Sequence, residues 1–186
     1  MLRGSAFLAL ALFASSAQAA DLDGVALPDQ RVVNGTTLQL NGIGLRTFPL
    51  FGIHIYVAGL YLERPSADPE TIIHSHGTKL LDIRFVRSVD AKDAQDAWRE
   101  SFDQNCVSPC HLDPRNVQQF LSEVPSVRKG DSAAFLFTQS GLQVSFNGRV
   151  MGDITDRHFA DVLLTTFIGP VPPTPRLKRE LLGLRD

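Results

Sequence analysis

Gly42-Ile43-Gly44-Leu45-Arg46, followed after a short break by Ile53-His54-Ile55-Tyr56-Val57-Ala58-Gly59-Leu60-Tyr61-Leu62-Glu63, decides the architecture of this chain. A strand with one face in water alternates apolar and polar residues, because successive side chains point to opposite sides. The segment from Ile53 to Leu62 is apolar on both sides instead. Ile53, Ile55, Val57 and Tyr61 make one side; His54, Tyr56, Ala58 and Leu60 make the other. Such a strand is central in its sheet, and something must cover each face. Arg46 stands at the break before it. On its own terms Arg46 reads first as a solvated strand-end cation. Its functional reading is a guanidinium fork for a carboxylate, which planar bidentate pairing favours. Tyr56 would add a hydroxyl to that cleft or else be a core tyrosine, and His54 reads as a packing residue on the same face.

Upstream, a frayed terminus leads through Val32-Val33 to the turn signal Asn34-Gly35. Residues 36–45 then form a strand with a bulge near Gly42 or Gly44, and residues 47–52, with Pro49, make the break. Downstream, residues 65–77 are a polar connection with a helical turn at 69–74. Leu81 to Val86, carrying Asp82 and Arg84, reads as a half-exposed strand. Asp90 is placed to cap a helix whose inner stripe is Ala94, Ala97, Trp98, Ser101 and Phe102, ending near Asn105-Cys106. Asp113-Pro114 opens another helix with Val117, Phe120, Leu121 and Val124 inward, stopped by Pro125. Three strands follow, at 133–138, 142–146 and 150–154, joined through Ser140-Gly141 and Asn147-Gly148. A helix over 157–168 stops at Gly169-Pro170. The last helix has Thr174 as cap, Pro175 at its first position and Gly183 past its end. This order predicts an α+β fold, an antiparallel sheet with helices packed mainly on one face.

The first residues read as a leader. Arg3 supplies a short positive region, residues 6–14 (AFLALALFA) are too short an apolar run to span a bilayer, and Ala17-Gln18-Ala19 is a cleavage site. Cleavage after Ala19 leaves a single domain over 20–186, periplasmic or secreted, with no further membrane segment. Its 17 basic and 20 acidic residues give a net charge of −3, which argues against a nucleic-acid surface. The two cysteines lie in Cys106-Val107-Ser108-Pro109-Cys110-His111. An oxidising compartment favours their pairing in a small closed turn. Two other chemistries share the string. Covalent haem would use a C-x-x-C-H motif, here with one residue too many, and zinc would need His111 and a fourth ligand such as His74 or His76. No nucleophile elbow, zinc-protease motif or phosphate loop is present, and nothing calls for a cofactor.

Several of these segments together carry a family resemblance. Gly44-Leu45-Arg46 with Tyr56-Val57-Ala58-Gly59-Leu60-Tyr61-Leu62-Glu63, then Trp98, Asn105-Cys106, Leu136-Phe137-Thr138-Gln139-Ser140 and Leu163-Leu164-Thr165-Thr166-Phe167-Ile168-Gly169 resemble the chalcone isomerase-like proteins, in their secreted bacterial branch. The similarity runs in the family order from about Val33 to Leu182. It implies an open-faced β-sandwich, a large antiparallel sheet backed by helices with a ligand cleft between. In the plant isomerases an arginine steers the substrate's phenolate toward ring closure, helped by a tyrosine, an asparagine and hydroxyl groups. The matching positions are Arg46, Asn105 and Thr166, with Tyr56 near the family's early-strand threonine.

Trp98 departs from the pattern, because it stands where the catalytic tyrosine would. An indole N–H donates but cannot take a proton as a phenolate does. Non-enzymatic relatives of this fold hold a fatty acid's carboxylate on an arginine and a tyrosine, a pair Arg46 and Tyr56 could reproduce. The resemblance therefore implies a binding module for a small amphipathic acid, with Arg46, Tyr56, Trp98, Asn105, Thr166 and Phe167 as its ligand residues and a Cys106–Cys110 staple. The alternative is an isomerase or lyase for a chalcone-like enone, using Arg46, Asn105 and Thr166. A third reading is an interaction protein whose cleft Trp98 and Phe167 close.

Overall fold

A computed structural model describes residues 19–48 and 51–184. The leader read over the first residues, apart from Ala19, and Pro49 of the expected break lie outside the described residues. Two short strands, β1 (Ala19–Leu22) and β2 (Val25–Pro28), pair as a hairpin. They precede β3 (Gln30–Val33), β4 (Thr36–Phe48), β5 (Ile53–Leu62) and β6 (Lys79–Phe85). The meander β7 (Ser132–Thr138), β8 (Gly141–Phe146) and β9 (Arg149–Ile154) completes a seven-stranded antiparallel sheet in the order β3 to β9. Sheet order follows sequence order throughout, by short connections except before β6 and β7, where residues 63–78 and 86–131 intervene. The Asn147-Gly148 loop takes the positive φ angles, 47° and 77°, that a two-residue hairpin of this twist needs.

The described residues also form five helices: α1 (Pro69–His74), α2 (Ala91–Asn105), α3 (Pro114–Ser122), α4 (Arg157–Ile168) and α5 (Pro175–Leu181). They cover one face. Ala58, Leu60, Leu62, Ile83 and Phe135 of the sheet bury against Phe102, Phe120, Phe159, Leu163 and Phe167 of the helices. The α+β reading holds, with helices on the face that residues 58, 60 and 62 supply. None of the described helices is long and apolar enough to cross a membrane.

The opposite face has its own cover, where the sequence suggested only a frayed terminus. The β1–β2 hairpin lays Leu27, fully buried, on Leu45 and Val57. A side chain at Gly59 would sit 2.6 Å from Leu27 Cδ1, so the hairpin needs a glycine beneath it to come that close. Burying one leucine so completely contributes about 2 kcal/mol. Beside it Tyr61 donates its hydroxyl to the Pro28 carbonyl at 2.9 Å. Leu22 before the Asp23-Gly24 turn and Val25 and Leu27, alternating after it, were the available signal.

Three local expectations are corrected. β6 is not half-exposed: Asp82 is only 3% exposed and Lys79 only 4%, because both faces are covered. Asp82 can lie there because Arg31 and Arg84 pair with it. Asp90 holds the cap position of α2 but makes no side-chain capping bond; Ser126 Oγ accepts the Ala91 N–H instead. His54 does not share a face with Tyr56. Arg46 pairs with Tyr56 and Thr47 with His54, leaving Ile55 as an extra residue. That bulge reverses the alternation, so His54 turns to the hairpin and meets Asp23 Oδ1 at 3.0 Å. The second irregularity of this pair falls at Asn41, just before Gly42, where the glycines suggested it.

Candidate functional site

A cavity of about 730 Å³ lies between the sheet and its helices. Its floor runs across the strands. Arg46, Tyr56 and Phe85 are successive partners on β4, β5 and β6, and Ile83, Ala133 and Phe146 are partners on β6, β7 and β8. Strands stand about 4.8 Å apart, so a floor crossing five of them is roughly 19 Å long. The roof comes from α2 and α4, chiefly Trp98 and Phe167. The bulge in β5 turns Ile53 and Ile55 into the same space as Tyr56.

Arg46 closes one end. Its Nη1 donates to the Thr47 carbonyl at 2.6 Å and to the Pro173 carbonyl at 2.9 Å. Two carbonyls position the guanidinium but leave its charge unmatched. Nε and Nη2 make no hydrogen bond, and no carboxylate pairs with Arg46, among the described residues. Tyr56, its cross-strand partner, likewise makes no side-chain hydrogen bond there. Burial pushes the Tyr56 phenol well above its ordinary 10, with the Arg46 charge only partly opposing, so the hydroxyl stays protonated and can donate. Phe85 meets its ring edge-on, centroids 6.0 Å apart.

Trp98 is both wall and core. Its ring lies 4.9–5.7 Å from those of Phe120, Phe102, Phe135 and Phe167, so it is fixed by four neighbours while one side borders the cavity. It narrows the space without closing it, which removes the ground for the closed-cleft reading. Thr166 and Phe167 also reach the wall, but Thr166 Oγ1 donates back to the Leu163 carbonyl at 2.7 Å within α4.

Asn105 is not part of the lining. Its Nδ2 donates to the carbonyls of Ser101 and Val171 at 3.0 and 2.9 Å, and its Oδ1 accepts the Val171 N–H. Of the six ligand residues expected, five border the cavity and Asn105 stands behind it. Missed at the rim are Phe48 and Phe51, 43% and 72% exposed, with stacked rings 6.0 Å apart. Two aromatics flanking an expected turn were the signal available.

Cys106 and Cys110 form a disulfide, with their Cα atoms 5.0 Å apart. The bond uses both sulfurs, so neither the haem nor the zinc reading applies to this state. The imidazole beside it is not one of those named for zinc: His158 Nε2 lies 3.6 Å from Cys110 Sγ. His76 instead contacts Arg157.

A family model described as chalcone isomerase-like matches residues 19–183, beginning with the hairpin that precedes the stretch read as similar. A comparison with curated protein sequences finds no match. Among solved structures, that of a fatty-acid binding protein from Arabidopsis thaliana is similar, with a TM-score of 0.74 over 89% of this chain and 96% of that chain. The two are 15% identical, a level at which the likeness speaks for the fold alone.

Proposed function

The chain belongs to the chalcone isomerase-like family, and we propose that it is a non-enzymatic binding protein for a small amphipathic acid such as a fatty acid. One observation carries the reading: Arg46 faces a largely apolar cavity with two donor groups unfilled and, among the described residues, no carboxylate paired with it. A half-buried cation without a counter-ion is costly to keep. A carboxylate ligand would supply the missing charge through the guanidinium's free edge, and the Tyr56 hydroxyl would donate a further bond. The rest of the molecule would lie along Phe85, Ile83, Phe135 and Trp98, giving up apolar surface at about 25 cal/mol per Å². The volume falls within the roughly 300–1,000 Å³ usual for small-molecule sites.

The groups that ring closure on an enone would need are engaged elsewhere. Asn105 is bound to backbone outside the cavity, Thr166 to its own helix, and Trp98 replaces a phenol. Those engagements support holding over turnover. The protein is further proposed to act outside the cytoplasm after losing its leader. A mature chain beginning at Ala20 in a periplasmic or secreted fraction, read by mass spectrometry, tests that part.

The binding reading is tested by native mass spectrometry after gentle purification. Wild-type protein should carry an acyl ligand, and Arg46→Ala should lose it. If both come through empty and neither takes up added fatty acid, the reading fails.

A further inference from the structure

We infer that Asn105, from behind the cavity, is a positioning residue that sets the guanidinium of Arg46 through the segment between α4 and α5. The inference rests on the binding reading above. It begins with the sequence Gly169-Pro170-Val171-Pro172-Pro173-Thr174. Proline has no N–H, so Val171 holds the only backbone donor between residues 170 and 173. Such a segment cannot secure itself by a backbone ladder. Asn105 meets that need from both sides, accepting the Val171 N–H at 3.3 Å and donating to the Val171 carbonyl at 2.9 Å. A third bond, to the Ser101 carbonyl at 3.0 Å, ties the same amide to the last turn of α2.

Two residues beyond Val171, the Pro173 carbonyl accepts the bond from Arg46 Nη1 at 2.9 Å. The intervening Pro172-Pro173 pair has its φ angles locked by the rings, so a position imposed at Val171 carries to the Pro173 carbonyl with little slack. Arg46 has one other fixed contact, its neighbour's carbonyl at Thr47. Among the described residues, Pro173 is therefore the only hydrogen-bond partner outside β4 that orients the guanidinium. The origin of the relay is itself braced. Cys106, directly after Asn105, closes α2 with its N–H on the Phe102 carbonyl at 2.8 Å and is bonded to Cys110. An asparagine that sequence comparison would place on the ligand thus serves it at one remove.

The test compares palmitate with hexadecanol, which share an acyl chain and differ in the group Arg46 would hold. Affinities are measured for wild type, Arg46→Ala, Asn105→Ala and the double variant. Asn105→Ala should weaken palmitate about 10-fold and hexadecanol less than about 2-fold. On the Arg46→Ala background it should weaken palmitate no further, the signature of two residues acting through one contact. Val171→Pro removes the same N–H from the other side and leaves α2 untouched; it should reproduce the acid-selective loss even if Asn105→Ala folds poorly. An Asn105→Ala effect equal on both probes, or fully additive with Arg46→Ala, overturns the positioning role. In that case acid-selective loss in Arg46→Ala alone would leave the binding reading standing. Failure of wild type to bind palmitate would overturn both.

Discussion

Arg31 and Arg46 sit on neighbouring strands of one sheet and face opposite sides of it. On the hairpin side, Arg31 finds its counter-ion within the chain: Nη2 lies 2.5 Å from Asp82 Oδ2, and the guanidinium rests 5.9 Å above the Tyr61 ring. Arg84 joins the same carboxylate at 2.8 Å. On the helix side, Arg46 meets two carbonyls and a cavity. Each arginine also has a tyrosine near it, but Tyr61 gives its hydroxyl to Pro28, while the Tyr56 hydroxyl stays unused. The contrast separates structure from site. An arginine whose acid is built into the chain strengthens the fold; one whose acid must come from elsewhere marks where a ligand would bind.

The contrast can be broken in order of effect. Asp82→Ala should strike stability hardest, because it strands two arginines around a buried position. Both are about a third exposed, so the expected loss is about 2–3 kcal/mol, read from urea unfolding, with the proposed binding of palmitate retained wherever the protein stays folded. Arg46→Ala should do the reverse. Palmitate affinity should fall about 10- to 100-fold, as for a lost charged hydrogen bond, while unfolding in the absence of ligand shifts by about 1 kcal/mol or less. An Arg46→Ala variant that loses as much stability as Asp82→Ala would show that both arginines are structural.

The tyrosines repeat the comparison at smaller scale. Tyr61→Phe should cost about 1 kcal/mol of stability through the lost bond to Pro28 and leave binding alone. Tyr56→Phe should leave stability nearly unchanged and weaken palmitate roughly 5-fold, both measured alongside the arginine variants. Smallest is a pH effect from a third cation. Lys79 is buried on the helix side, donating to the Ser75 carbonyl at 2.8 Å, and burial lowers its pKa from the ordinary 10.5, with Asp161 and Glu63 partly opposing. The unfolded chain then holds the proton more tightly, so stability should rise with pH in the window just below 10.5. Lys79→Met should flatten that rise in a urea series across pH; an unchanged slope would show that the ammonium is adequately solvated where it lies.

Much of this was legible beforehand because it depends on local chemistry. The unbroken apolar run of β5 announced a central strand, Asn147-Gly148 announced a hairpin, and Thr174-Pro175 announced the start of α5, where Thr174 Oγ1 accepts the Leu177 N–H. Five of the six residues expected at a site border one cavity, because Arg46 and Tyr56 are cross-strand partners on β4 and β5 and the inner stripes of α2 and α4 lay Trp98, Thr166 and Phe167 over them. The misreadings fall where regularity fails or where a distant segment arrives. A single extra residue at Ile55 turned His54 outward. Asp82 looked like a residue for solvent until β3 and the hairpin brought Arg31 over it.

By itself, the order of residues determined the elements from β4 onward, an antiparallel sheet with helices on one face and the presence of a cation near the end of β4. Hydrophobic periodicity, turn residues and caps act over a few positions, so they can be read without the fold. Only the tertiary structure decided which arginine has an acid and which does not, that Trp98 leaves a cavity open, and that Asn105 reaches Val171 instead of the cavity. Those outcomes depend on contacts between residues as far apart as 51, 66 and 127 positions, where pairing depends on how the elements pack.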